Sequence, residues 1–130
     1  MANQNIVSVT GIKGESVGFT LSATTTTTLM TVASDKIVKV NRITVANVDG
    51  TNAADVTISI TKANFTPDGI SNFDTSGTFH LAKTVSVPAD ATLVLLDTPI
   101  YLMEGDVLKG GAGAASDLDL FVSYESIDDA

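Results

Sequence analysis

The sequence predicts an all-β fold, a single β-sandwich or jelly-roll-like domain of about eight short antiparallel strands. Three observations predict it. The β-branched residues Thr and Val are abundant, no segment keeps apolar residues at helical spacing for several turns, and Gly, Pro, Asn and Asp divide the chain at near-regular intervals. A chain of 130 residues is long enough to bury one core without a disulfide or a metal ion.

The two clearest strands alternate strictly between apolar and polar side chains. Val56, Ile58 and Ile60 share one face of the first. In residues 117–125 the apolar side chains again share one face, and Phe121 stands apart on the polar face. Such alternation is typical of an antiparallel strand with one face on the core and one in water. Phe121 is therefore predicted to contact another subunit.

Shorter apolar runs mark the remaining strands and are separated by turn residues such as Glu104-Gly105-Asp106. In chain order the markers are Val7 and Val9; Val17, Phe19 and Leu21; Leu29, Met30 and Val32 after the threonine run 24–28; Phe79, Leu81, Val85 and Val87, with Lys83 intruding; residues 93–96; and residues 100–103. The last two runs are continuously apolar, which indicates strands buried on both sides or an edge strand covered by a neighbour.

The apolar period changes within residues 36–48. Val38 and Val40 are in phase, whereas Ile43 and Val45 follow on the opposite parity. A β-bulge near residues 41–42 would restore the register, because one extra residue moves every later side chain to the other face. The alternative is a strand that crosses between two sheets and buries both faces.

The predicted domain spans residues 6–127. Residues 1–5 are polar and are predicted to form a flexible N-terminal arm, and residues 128–130 are predicted to form an acidic tail. No internal repeat at a fixed period interrupts this single unit.

One long loop, residues 64–77, carries Phe65, Ile70 and Phe73 among polar residues. One interpretation is an ordered surface loop held by its own aromatic side chains. The other is a projecting loop that inserts into a partner, and on that reading the three apolar residues are candidate interface residues.

Lys36, Lys39 and Arg42 form the one basic cluster, on a single predicted strand. The cluster either balances charge within an acidic protein or presents a sandwich face with three cations to an acidic neighbour. These residues are therefore candidate interface residues as well.

The charge and composition exclude several classes of function. A formal charge of −8 and a pI near 4.2 oppose nonspecific nucleic-acid binding, which needs Lys and Arg to neutralise phosphates. The absence of cysteine removes disulfide frameworks and thiolate zinc sites. No apolar run approaches the ~18 residues of a membrane-spanning helix, so a membrane partner is not expected.

The candidates for chemistry are few, and no catalytic, cofactor-binding or metal-ligating residue is predicted. His80 lies on the polar side of its strand without a second histidine or a cysteine. The carboxylate pairs Glu104/Asp106 and Asp117/Asp119 could in principle bind calcium or act as an acid and a base. Neither matches a calcium loop, so both pairs are expected to lie on a solvated face.

Several strand and turn segments resemble small virion structural proteins of tailed bacteriophages, notably marine and cyanobacterial ones. They are VNRITVAN (40–47), ADVTISI (54–60), LAKTVSVPA (81–89), LVLL (93–96), IYL (100–102), EGD (104–106) and VSY (122–124). The resemblance covers about two-thirds of the chain and consists of strand and turn patterns, with no site motif.

The resemblance implies a β-sandwich subunit of a virion, assembled in the host cytoplasm and seated on the capsid surface as a decoration (cement) protein. The implied partners are the major capsid protein or other virion proteins, and the implied state is a homo-oligomer, often a trimer. A neck, tail or fibre-associated subunit is the alternative. A carbohydrate-binding module is an alternative of another class, although the chain lacks the Trp such modules use for sugar stacking.

Overall fold

The computed structural model describes residues 9–63, 69–73 and 76–129. These ranges form nine antiparallel strands in two sheets, which confirms the all-β sandwich. The strands are β1 (Val9–Thr20), β2 (Thr27–Thr31), β3 (Lys36–Asn47), β4 (Ala54–Lys62), β5 (Gly77–Val87), β6 (Thr92–Leu96), β7 (Ile100–Leu102), β8 (Val107–Ala112) and β9 (Leu118–Asp129). A helix long and apolar enough to cross a membrane does not occur in these ranges.

The strand order is that of a jelly roll. The five-stranded sheet has the order β1-β9-β3-β6, with β7 also paired to β3, and the four-stranded sheet has the order β2-β8-β4-β5. The first strand thus pairs with the last, the second with the last but one, and the central strands β4 and β5 with each other. This is the pairing of a long hairpin wrapped into two sheets, with β6 and β7 sharing one position beside β3.

The core lies between the inner faces of the two sheets. Its side chains come from alternate residues of the strands, as in Val56, Ile58 and Ile60 of β4, each at most 7% exposed. The largest fully buried apolar side chains are Ile43, Ile58, Leu102, Leu108, Leu118 and Leu120. Each stabilises the fold by roughly 1.5–3 kcal/mol relative to an exposed position. This rigid core fixes the outward-facing residues in register.

The predicted β-bulge in β3 is confirmed. The pairing of β3 with β9 shifts between Val40 and Arg42, where Val40 lies opposite Tyr124 and Arg42 opposite Ser123. Asn41 is the extra residue, so Val40 and the later apolar residues of β3 all reach the same core. Because β3 pairs with β9 on both sides of the bulge, the alternative of a strand that crosses between sheets is wrong.

The two strands predicted around Val9 and Val17 are one continuous strand, β1. Gly11, Gly14 and Gly18 interrupt the apolar alternation in the sequence, yet β1 pairs with β9 along almost its whole length. Val7 lies outside the described residues, as does the predicted arm of residues 1–5. At the other end of the chain, β9 continues to Asp129, beyond the boundary predicted at residue 127.

The alternation predicted for β5 holds for Val85 and Val87, which face the core, but is wrong for Leu81. The pairing of β5 with β4 shifts register twice, so Ala82 lies opposite Ile58 and is buried while Leu81 is 38% exposed. Thr84 takes a φ of 48° within this irregular segment. Bulges therefore turn Leu81 outward, where strict alternation places it in the core.

The continuous apolar runs form β6 and β7 at the edge of the five-stranded sheet. The edge position is as predicted, but the predicted cover by a neighbour is wrong for Val94 and Tyr101. Val94 is 43% exposed and Tyr101 is 52% exposed. Burial on both sides is therefore the wrong alternative, and these strands present apolar side chains to the outside.

Candidate interaction surfaces

One end of the sandwich is held by hydrogen bonds of Asn47 and Asp49. The buried Asn47 amide donates to the carbonyl oxygens of Asn52 and Val87, each at 2.9 Å, and its Oδ1 accepts the Asp49 N–H at 2.9 Å. The Asp49 carboxylate accepts the Thr51 N–H at 2.8 Å and the Asn52 side-chain amide at 3.1 Å. The hydrogen bond from Thr51, followed by that from Asn52, lowers the pKa of Asp49. These contacts fix the connections at this end.

Asp106 holds the opposite end together. Its side chain is fully buried and accepts hydrogen bonds from the Lys62 Nζ at 2.5 Å, from the Ala63 N–H at 2.8 Å and from the Met103 N–H at 2.8 Å. A buried carboxylate is stable only when it is paired and hydrogen-bonded in this way. The expectation of a solvated face is therefore wrong for Asp106. Because Asp106 accepts the Ala63 N–H, the long loop between β4 and β5 starts at a residue that is held in place.

Exposed apolar side chains lie in the loop and the strand that come after Ala63 in the chain. Ile70 is 61% exposed and Phe73 is 36% exposed in the described part of the loop, and Phe79 and Leu81 of β5 are 42% and 38% exposed. We call these four residues the β5 margin. Strand β5 pairs with β4 alone in the sheet order, so its other edge is open. Phe65 lies outside the described residues.

The outer face of the five-stranded sheet is a second exposed surface, which we call the aromatic face. Strand pairing aligns the outward side chains in rows across the sheet, and the aromatic face consists of four of these rows. The rows are Thr20, Asp119, Ala46 and Thr92; then Gly18, Phe121, Thr44 and Val94; then Ser16, Ser123 and Arg42; and finally Gly14, Glu125, Lys39 and Tyr101. A further row, Ile12, Ile127 and Ile37, borders the last of these.

Phe121 occupies the middle of the aromatic face and is 54% exposed, on the outward side that the sequence predicts. A side chain at Gly18 would place its Cβ 3.4 Å from the Phe121 ring, so the ring lies beside this glycine. A shallow groove of about 260 Å³ runs between β1 and β9 at the same place. With Val94 and Tyr101, Phe121 gives the face three large exposed hydrophobic side chains among small and charged residues.

The three predicted cations do not share one face. Lys39 lies on the aromatic face and pairs with Glu125 at 3.6 Å, and Arg42 is exposed on the same face. Lys36 pairs with Asp128 at 3.2 Å. Because Asp128 is three residues from Glu125 along a regular strand, Lys36 lies on the opposite side of the sheet. The expected face with three cations is therefore wrong.

The outer face of the four-stranded sheet is dominated by hydroxyl groups, and we call it the hydroxyl face. Its rows are Thr28, Lys109, Ser59 and His80, and Thr31, Val107, Thr61 and Thr78. A groove of about 260 Å³ beside them is lined by Thr24, Thr25, Thr26, Asp55, Thr57, Thr84, Gly111, Ala112 and Gly113. Thr57 Oγ1 accepts the Thr84 N–H at 3.0 Å.

The other residues considered for chemistry are dispersed. His80 is exposed opposite Ser59, and Asp119 accepts the Thr20 hydroxyl at 3.0 Å. Glu104 accepts the Asp35 N–H at 2.6 Å. Within the described ranges, no three His, Asp or Glu side chains come together as a metal-binding group.

Sequence reasoning missed two members of the aromatic face, Val94 and Tyr101. Both lie in apolar runs whose outward residues look identical to core residues in the sequence. Their position follows only from the pairing of β6 and β7 with β3. The one sequence signal for this face is that Phe121 alternates with the core residues of β9.

The fold and its surfaces define a jelly-roll sandwich that presents an aromatic face, a hydroxyl face and the β5 margin. Comparison with protein-family models, with curated proteins and with solved structures finds no match for the chain.

Proposed function

We propose that the chain is a non-enzymatic structural subunit of a tailed-phage virion, a decoration protein that binds the assembled head. The resemblance of its strand and turn segments to small phage virion proteins supports this. The jelly roll is a fold that viral capsid domains use, although lectin domains use it too, so the fold adds only an analogy.

The observation that carries the proposal is the β5 margin. It places Ile70 and Phe73, two apolar residues predicted to contact a partner, in the loop that precedes an open strand edge. The loop starts at Ala63, which Asp106 fixes, so a partner need not first order its base. Exposed apolar side chains next to an open edge are suited to a neighbouring shell subunit.

The mechanism is mass action on a lattice. Each copy binds where assembled shell subunits meet, so binding favours the assembled shell over its dissociated parts. A subunit with several copies joined together would gain avidity without a large area at each contact. The formal charge of −8 opposes nonspecific aggregation of unbound copies.

Quantitative mass spectrometry of purified phage particles whose genome encodes this chain tests the proposal. A decoration protein is expected in hundreds of copies per particle. A handful of copies would instead support the neck, tail or fibre alternative. Absence of the chain from the particles would refute both virion assignments.

A double substitution, Ile70→Ser with Phe73→Ser, tests whether the β5 margin makes the contact. We expect occupancy on undecorated heads to fall at least tenfold, because two exposed apolar anchors are lost. Val48→Ser is the matched control, since Val48 is 56% exposed in the connection between β3 and β4. Equal loss for the control and the double variant would contradict the assignment of the margin.

The hydroxyl face supports a second candidate function, binding of a carbohydrate. Its groove offers the Asp55 carboxylate and several threonine hydroxyls, which are groups that hydrogen-bond to sugar hydroxyls. The groove lining includes no aromatic side chain for stacking on a sugar ring. Glycan-array binding that Asp55→Ala abolishes would support this function, and an array without hits would dismiss it.

A further inference from the structure

We infer that the aromatic face binds a second copy of this chain, face to face, through the row centred on Phe121. The observation is independent of the β5 margin and of any virion. Phe121, Val94 and Tyr101 are 54%, 43% and 52% exposed on one surface. Large side chains with aromatic character are typical of the centre of an interface between proteins.

The distribution of charge favours a second copy as the occupant. The two cations of the aromatic face, Lys39 and Arg42, cancel its two carboxylates, Asp119 and Glu125, although the whole chain has a charge of −8. The excess carboxylates lie mainly in the connections between strands, among them Asp35, Asp49, Asp90, Asp97 and Glu104. Two copies that meet at their ends bring like charges together, whereas two aromatic faces do not.

The hydroxyl face is the competing neutral surface, because Lys109 and Asp55 also cancel there. It exposes threonine hydroxyls, which lose hydrogen bonds to water when they are covered. The aromatic face loses exposed apolar area instead, which favours association. The greater exposed apolar area of the aromatic face therefore makes it a better surface for dimerisation than the hydroxyl face.

The face is also complementary to itself. Arg42 lies in the row on one side of Phe121, and Asp119 lies in the row on the other side. In an isologous pair the same patch serves both copies, so a two-fold axis near Phe121 can bring each Arg42 to the other copy's Asp119. The resemblance to phage proteins implied a trimer, whereas an isologous contact gives a dimer. The number of copies in the oligomer therefore distinguishes the inferred contact from the implied trimer.

The size of the face predicts a modest affinity. Four rows across four strands, at about 4.8 Å per strand and about 6.7 Å per row, cover roughly 500 Å². A standard interface buries about 800 Å² on each partner, so we expect a dimer that dissociates at roughly 10–100 μM.

Sedimentation equilibrium of the full chain over this concentration range tests the inference. We expect Phe121→Ser to raise the dimer dissociation constant roughly 30-fold. Val48→Ser is the control, since it removes an exposed apolar side chain from the connection between β3 and β4, and it should leave the constant unchanged. Arg42→Asp should raise the constant about tenfold, whereas Lys83→Asp makes the same change in net charge elsewhere and should have little effect.

A cross-linking measurement covers the case in which Phe121→Ser impairs folding. The chain has no cysteine, so single cysteines can be introduced cleanly. Ser16→Cys lies on the edge strand of the aromatic face and Thr28→Cys on the edge strand of the hydroxyl face, and both parent residues are exposed. A short bis-maleimide should join copies of Ser16→Cys at least tenfold faster than copies of Thr28→Cys. A monomer at every concentration, a trimer, or equal cross-linking at the two positions would overturn the inference.

Discussion

The two outer faces of the sandwich differ although the inner faces are built alike. Both sheets send alternate Val, Ile and Leu side chains into one shared core. Outside, the four-stranded sheet carries mainly exposed threonine hydroxyls, and the five-stranded sheet carries Phe121, Val94 and Tyr101. Burial dictates the inner residues, but nothing in the fold requires large apolar residues outside. On the four-stranded sheet, exposed apolar residues of this size lie at the β5 margin, so their presence on the aromatic face supports a binding role for that face.

Neighbouring residues of β9 offer the largest test of that distinction. Leu120 is 1% exposed in the core and Phe121 is 54% exposed on the aromatic face. We expect Leu120→Ala to lower the free energy of unfolding by about 2–5 kcal/mol, because it leaves a cavity. Phe121→Ala should lower it by less than about 1 kcal/mol, because the ring is largely in water already.

Urea denaturation of the two variants, at a concentration where the protein is monomeric, measures both changes. A loss for Phe121→Ala as large as that for Leu120→Ala would mean that the ring stabilises the single chain. The comparison between the faces would then carry no information about a partner.

The sequence predicts the inner half of the molecule far better than the outer half. Alternation in β4 and β9, and the change of period near Asn41, follow from burial on one face, which leaves a local signal. Membership of an outer surface depends on which strands are neighbours. Val94 joins Phe121 only because β6 and β9 both flank β3. Strand order is a long-range property that local pattern does not contain.

The buried carboxylate Asp106 shows the same limit. Its sequence context, a turn between two apolar runs, is typical of an exposed aspartate. It is buried because Lys62 and Ala63, at the end of β4, and Met103, just after β7, converge on it. The bulges that expose Leu81 are likewise set by the pairing of β5 with β4. No periodic pattern in the sequence predicts them.

Thr84 provides a test of intermediate size on the hydroxyl face. Its φ of 48° is a left-handed conformation that a β-branched residue adopts only with strain. We expect Thr84→Gly to raise the free energy of unfolding by about 1 kcal/mol, because glycine takes this conformation without a steric penalty.

Thr31→Gly is the control for that substitution. Thr31 lies on the same face, in β2, with a φ outside the left-handed region, so the glycine should lower the free energy of unfolding by roughly 0.5–1 kcal/mol. Thermal denaturation measures both. If Thr84→Gly also destabilises the chain, the strain is offset by contacts of the threonine side chain, and the groove is not a strained site.

The smallest test separates the two sides of the five-stranded sheet through its two tyrosines. Tyr101 is on the aromatic face, whereas Tyr124 is on the inner side, opposite Val40 and Glu15. The hydrogen bond that the Tyr124 hydroxyl donates to Glu15 Oε2 at 2.7 Å, with partial burial and the Glu15 charge, raises the pKa of Tyr124 above its ordinary value of 10.0.

Because the folded-state pKa is raised, the stabilisation from the protonated phenol is fully present below about pH 10 and is lost as the pH rises through the higher folded-state value. In the Tyr101→Phe variant, Tyr124 is the one remaining tyrosine, so ultraviolet absorbance reports its ionisation alone. We expect a titration midpoint above 10 that Glu15→Gln moves down, because the substitution removes the carboxylate. An unchanged midpoint after Glu15→Gln would show that burial, and not Glu15, sets the pKa of Tyr124.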